Sequence, residues 1–202
     1  MMIIPTAVKI FEKRMVSITL QNVRAHKGHS RFHGPPGRPL SEIRAGYFLI
    51  GDLRFTVDNR RVGGFGYTGP NVVYLCYWIG SLYGMMKTLK SADPSSYKWW
   101  YREQGDPALL FERNSNRVTI HATEDGLDGE REEYSCELED LSRAVDEVLE
   151  ELRQMLVREA GSRGEKWFAE WIVPGPGARA PDEITIFSII RAFFRAIFPP
   201  RT

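Results

Sequence analysis

This sequence predicts an α+β fold, in which an antiparallel sheet built of hairpins is packed on one face by helices, and three observations predict it. Short alternating stretches rich in β-branched residues arrive as neighbours separated by turn residues. Two longer stretches, near 72–90 and 139–160, carry apolar residues at helical spacing. Only one strand-to-helix step is present, whereas a doubly wound parallel sheet needs a series of them.

The elements follow in order along the chain. Residues 1–14 form an N-terminal extension, and 15–173 hold a single domain. Residues 15–23 alternate and read as a half-buried strand. Residues 24–39, dense in His, Gly, Pro and Arg, read as a basic loop that can bury little. Residues 47–57 return to strand with Gly51 as a bulge position, Asp58-Asn59-Arg60 supplies turn chemistry, and 61–65 runs back as the hairpin partner. Residues 72–90 then read as a central helix, with Leu75, Ile79, Leu82, Tyr83, Met86 and Leu89 at helical spacing and Asn71 as its N-cap.

Residues 97–102 are an aromatic segment, and 108–113 and 117–122 flank Asn114-Ser115-Asn116 as a second hairpin. A strand over 130–138 leads into a helix over 139–160, which carries Leu141, Val145, Val148, Leu149, Leu152, Met155 and Leu156 on one face and ends at Gly161 or Gly164. A short amphipathic helix over 165–173 precedes a Pro/Gly linker at 174–181, and 182–202 hold an apolar C-terminal helix.

Composition bounds the function. The chain has 202 residues, 43% of them hydrophobic and 12% aromatic, which suits a soluble globular domain able to bury about 70% of its unfolded surface. Disordered and fibrous classes are excluded. No run of about 18 uncharged apolar residues occurs, no secretory cleavage pattern is present, and two cysteines suit buried reduced thiols, so a cytoplasmic bacterial protein is expected. The bias of 20 Arg to 7 Lys fits a GC-rich genome.

The formal charge of +1 conceals an uneven distribution. Residues 1–50 carry +6, 51–102 carry +4, 103–159 carry −11 and 160–202 carry +2. Such an acidic segment either forms a solvated, salt-bridged surface or faces a partner of opposite sign.

Motifs for chemistry are sparse. Residues 64–69 spell G-x-G-x-x-G, but Pro70 follows the third glycine and no acidic strand end comes after it, so a nucleotide site there lacks the context that makes the motif meaningful. An unrecognised enzyme with a site near Gly64–Asn71 is one alternative. His26, His29 and His33 have spacing that could ligate a cation, yet Arg24, Lys27 and Arg31 would repel it, and neither metal nor cofactor is expected. The same basic stretch, 24–44, with Arg24, Lys27, Arg31, Arg38 and Arg44, could contact RNA or DNA phosphates, although a pI near 7.8 disfavours nucleic acid. His121 stands alone on a strand, and catalytic signatures for hydrolysis are missing.

Three features suit protein contact instead. Asp146, Glu147, Glu150 and Glu151 crowd the polar face of the 139–160 helix. Trp99, Trp100 and Tyr101 are consecutive, so they cannot all face a core, and exposed aromatics favour interfaces. Phe187, Ile190, Phe194 and Ile197 surround the C-terminal helix, which packs at home, joins a second subunit as a homo-oligomer, or lies on a membrane surface, in that order of preference.

The order of hairpin, glycine-rich turn, central helix, Trp-Trp-Tyr, hairpin 108–122 and strand-to-helix step 134–156 is similar to small bacterial α+β immunity proteins that accompany polymorphic toxins, over residues 45–160. The resemblance implies a non-catalytic protein that binds one protein partner tightly, such as a basic toxin. It carries over no functional residue.

Overall fold

The first strand, β1 (Val16–Lys27), pairs antiparallel with β2 (Tyr47–Val57) along its whole length. Its first half alternates as expected, with Val16, Ile18 and Leu20 buried and Thr19 and Gln21 exposed. In the computed structural model, residues 16–27, 37–63, 65, 73–99, 109–123 and 131–172 are described.

Residues 24–27, expected to open a loop, instead continue the strand past a bulge. The register slips between Gln21 and Arg24, so Asn22 and Val23 together oppose Gly51. Asn22 takes φ 53° there, and its amide donates to Asp52 Oδ2 at 2.6 Å. A Cβ on Gly51 would lie 2.9 Å from the Gln21 carbonyl and 2.9 Å from Leu75 Cδ1, so only glycine lets the bulge close. Gly51 is thus a bulge position, with the extra residue on the opposite strand.

The β2 hairpin turns on two residues rather than three. Asp58 and Asn59 both adopt positive φ (51° and 63°), the two-residue geometry that matches strand twist. The partner β3 is therefore only Arg60–Arg61, followed by Val62 N–H donating to the Phe55 carbonyl at 2.9 Å. On the same side of β2, the short β4 (Val73–Tyr74) pairs with Ile50 and Gly51. That pairing corrects the helix start: β-branched and aromatic residues at 73–74 serve as strand, α1 (Leu75–Ser91) begins after them, and Asn71 is too far upstream to cap it.

The second sheet has the order β5 (Ser95–Trp99), β6 (Leu109–Asn114), β7 (Arg117–Thr123), β8 (Arg131–Glu137), all antiparallel. β8 runs straight into α2 (Leu138–Ala160), which Gly161 ends with φ 58°, and α3 (Ser162–Trp171) folds back against it.

The α+β class and its hairpins are as the sequence predicts, with the strands divided between two sheets. Tyr134 joins the two. Its hydroxyl donates toward the Arg61 carbonyl at 2.6 Å, its ring lies 4.7 Å beneath the Arg60 guanidinium, and Arg60 also pairs with Glu132 at 3.5 Å. Burial, then the adjacent Glu132 carboxylate, push this phenol up to about 12.

One continuous core serves both sheets. It takes Leu53, Phe55 and Val57 from β2, Phe111, Ile120 and Tyr134 from the second sheet, Leu82, Met85 and Leu89 from α1, and Leu141, Val148 and Leu152 from α2. The extension 1–14, the linker 174–181 and the C-terminal segment 182–202 lie outside the described residues.

Candidate protein-binding surface

The candidate surface is the outer face of α2, and the helix period alone builds it. Leu141, Ala144, Val145, Val148, Leu152 and Leu156 are buried, which commits the opposite stripe to solvent. Asp146, Glu147, Glu150 and Glu151, all exposed, fall together on that stripe and line one shallow open depression. Glu139, Ser142, Arg143 and Gln154 line the same depression, so five carboxylates meet one guanidinium. These four were not singled out from sequence, though their spacing from Asp146 and Glu150 places Ser142, Arg143 and Gln154 one turn away and Glu139 two turns away on the same face.

The carboxylates are not equivalent. Glu150 accepts from two of the three Arg153 guanidinium nitrogens, Nε at 2.8 Å and NH2 at 2.9 Å, and from the Gln154 amide at 2.9 Å. These hydrogen bonds, Arg153 first, hold its carboxyl down at about 2, well below the usual carboxylate range. Arg153 also reaches Glu165 on α3 at 3.3 Å, and its own pKa is raised by the Glu150 hydrogen bond. Glu150 is therefore already partnered within the chain. Asp146 accepts one long bond from Ser142 at 3.4 Å, and Arg143 pairs with Asp140. Neither Glu151 nor Glu139 has an ion-pair partner among the described residues. The negative charge available to a partner is thus carried at Asp146, Glu151 and Glu139 more than at Glu150.

The aromatic contact residue Trp99 is a correction. It is 8% exposed, and its ring packs 4.7 Å from Trp78 and 5.6 Å from Phe65. The register explains the orientation: Trp99 opposes Leu109 and Tyr97 opposes Phe111, so the odd-numbered residues of β5 face the core. Trp99 and the acidic stripe form no common surface. Trp100, Tyr101, Phe187, Ile190, Phe194 and Ile197 lie outside the described residues.

Other candidates resolve piecemeal. Phe65 is 1% exposed and wedged against Phe55, Trp78 and Trp99, so this residue of the glycine-rich turn serves packing; residues 64 and 66–71 lie outside the described ones. His26 is buried in β1 opposite Phe48, while His29 and His33 lie outside the described residues. Among the described residues, no group of three His, Cys, Asp or Glu side chains could hold a metal ion. Of the basic stretch, Arg24 and Lys27 sit on β1, Arg38 pairs with Glu42 at 2.7 Å, Arg44 is exposed and Arg31 lies outside the described residues.

His121 is flanked on the outer face of the second sheet by Glu112 at 3.0 Å and Glu133 at 3.7 Å. Cys136 is a buried free thiol, and burial raises it to about 12, so it stays protonated and a poor nucleophile at neutral pH. No described helix is long and apolar enough to cross a membrane.

Comparisons with protein-family models, with curated protein sequences and with solved structures found no match to this chain.

Proposed function

We propose that this chain is a non-catalytic bacterial protein that binds a protein partner through the outer face of α2, in the manner of an immunity protein held against a basic toxin in the cytoplasm. The observation that carries the reading is the exposed, open stripe of Asp146, Glu147 and Glu151 beside Glu139, backed by a rigid helix whose other face is core. Surface carboxylates gain little from one another, so their clustering is accounted for by a basic partner, whose approach they accelerate. A homo-oligomer through the C-terminal segment is a second assembly this reading allows.

The test is the association rate with a captured basic partner. Reversing Asp146 and Glu151 to Lys is preferable to reversing Glu150, because Glu150 already satisfies Arg153. The double variant is expected to associate at least about tenfold more slowly at low salt and to lose most of its salt dependence. An unchanged rate in a variant with unchanged circular dichroism would remove α2 as the contact.

A further inference from the structure

The long edge of the first sheet, along β1, has no strand partner over Val16–Gln21 among the described residues, and the backbone register says what fits it. Phe55 gives its carbonyl to Val62 on β3, so Phe55 and Val57 turn their main-chain groups toward β3. Their neighbours Arg54 and Thr56 turn toward β1, where they meet Thr19 and Ser17. The groups of Val16, Ile18 and Leu20 therefore point away from β2, toward the open edge. At the far end of that edge Ala25 already exchanges two backbone hydrogen bonds with Arg38, at 2.9 and 2.8 Å. Among the described residues nothing pairs with Val16–Gln21 on that side. Val16, Ile18 and Leu20 keep 5–6% exposure, whereas Leu53 and Phe55 on the central strand keep none.

This edge lacks the usual guards. Residues 16–23 contain no charge and no proline. The edge of the second sheet, β5, is short, follows Pro94 and carries the exposed Lys98. An uncharged alternating edge that no described strand covers invites another strand.

We propose that Val16–Gln21 pairs with the same segment of a second copy, antiparallel about a two-fold axis at Thr19. An axis at a residue, rather than between two residues, keeps both faces matched, and at Thr19 it sets the outward-facing threonines together. Ile18 then opposes Leu20 of the second copy, both on the core side, and these are the residues whose donors and acceptors are free. Ser17 opposes Gln21 on the outer face. The two Thr19 side chains meet in a non-hydrogen-bonded pair, where Cα atoms lie about 4.5 Å apart and Thr–Thr contacts are favourable. One strand pair buries less than the roughly 1,200 Å² of the smallest stable interfaces, so the dimer is weak and concentration-dependent. The inference is independent of the α2 reading.

The experiment uses the full chain. Thr19→Cys is expected to give a disulfide-linked dimer under mild oxidation, since the paired positions fall within disulfide reach. Wild type, with Cys76 and Cys136, and Ser17→Cys are expected not to, because the two positions 17 would lie roughly 13 Å apart in this register. Thr19→Glu faces Arg54 in its own chain and so preserves the fold, but sets two carboxylates together on the axis. Sedimentation over a concentration series is expected to show its dimerisation weakened about tenfold. Equal crosslinking at 17 and 19 would overturn the register. A wild type monomeric at every concentration, with no crosslink at 19, would overturn the dimer. A dimer that survives Thr19→Glu but disappears when 174–202 are removed would assign assembly to the tail instead and refute this edge.

Discussion

Gly164→Ala is a substitution whose sign distinguishes packing from propensity. Gly164 lies inside α3, where replacing glycine by alanine ordinarily gains about 1 kcal/mol. Here, however, the new Cβ would fall 2.1 Å from the Leu156 carbonyl oxygen and 2.6 Å from its carbon. Those are backbone atoms of α2 and cannot rotate aside, so α3 would have to move by about 1 Å to restore ordinary contact. The movement would disturb Trp167, Phe168 and Ile172, which are buried, and stretch the 2.9 Å bond from Trp167 Nε1 to the Tyr47 carbonyl. Overpacking against rigid atoms costs about 3 kcal/mol, which leaves a net loss of about 2 kcal/mol after the propensity gain. Urea unfolding followed by tryptophan fluorescence reads this directly. Gly80→Ala in α1 is the control: among the described residues its Cβ would meet nothing closer than the Trp171 carbonyl at 3.8 Å, so it is expected to stabilise by about 0.5–1 kcal/mol. A Gly164→Ala protein as stable as the Gly80→Ala protein would refute the close approach of α2 and α3.

Three further outcomes are expected. Arg113 donates to the carbonyls of Leu89 and Ala92 at the end of α1 and to Ser115 in the β6–β7 turn, so Arg113→Ala should cost about 1–3 kcal/mol in the same unfolding assay, with Arg113→Lys recovering only part. Glu150 should titrate near 2 by NMR and rise in Arg153→Ala, held down then only by the Gln154 amide; because its folded value is depressed, the stability it contributes is present above the unfolded value of about 4.5 and lost as pH falls toward 2. Cys136 has a raised folded value, so its contribution is present below about 9 and lost as pH rises toward 12, and a thiol reagent at pH 8 should modify it only after denaturant is added.

What was legible in the sequence was what local periodicity fixes. The α2 helix shows its buried stripe and therefore its acidic face, and the Asn114–Asn116 turn shows its hairpin. Non-local pairing was not legible. Residues 24–27 read as loop because their charges mask the single apolar Ala25, and only the bulge opposite Gly51 explains how the strand continues. Trp99 turns inward because of its register with Leu109, which no property of residues 97–102 states. Of the acidic cluster, sequence placed the residues and the i,i+3 spacing of Glu150 and Arg153, but not the second contact of Arg153 with Glu165, which depends on how α3 returns along α2.

The most direct test of the α2 contact surface is retention of bacterial lysate proteins on immobilised wild-type chain beside immobilised Asp146→Lys/Glu151→Lys chain, eluted by a salt gradient. The α2 surface predicts one basic polypeptide held by the wild type, released as salt rises and not retained by the variant. The same polypeptide held equally by both, with the same elution profile, would contradict it.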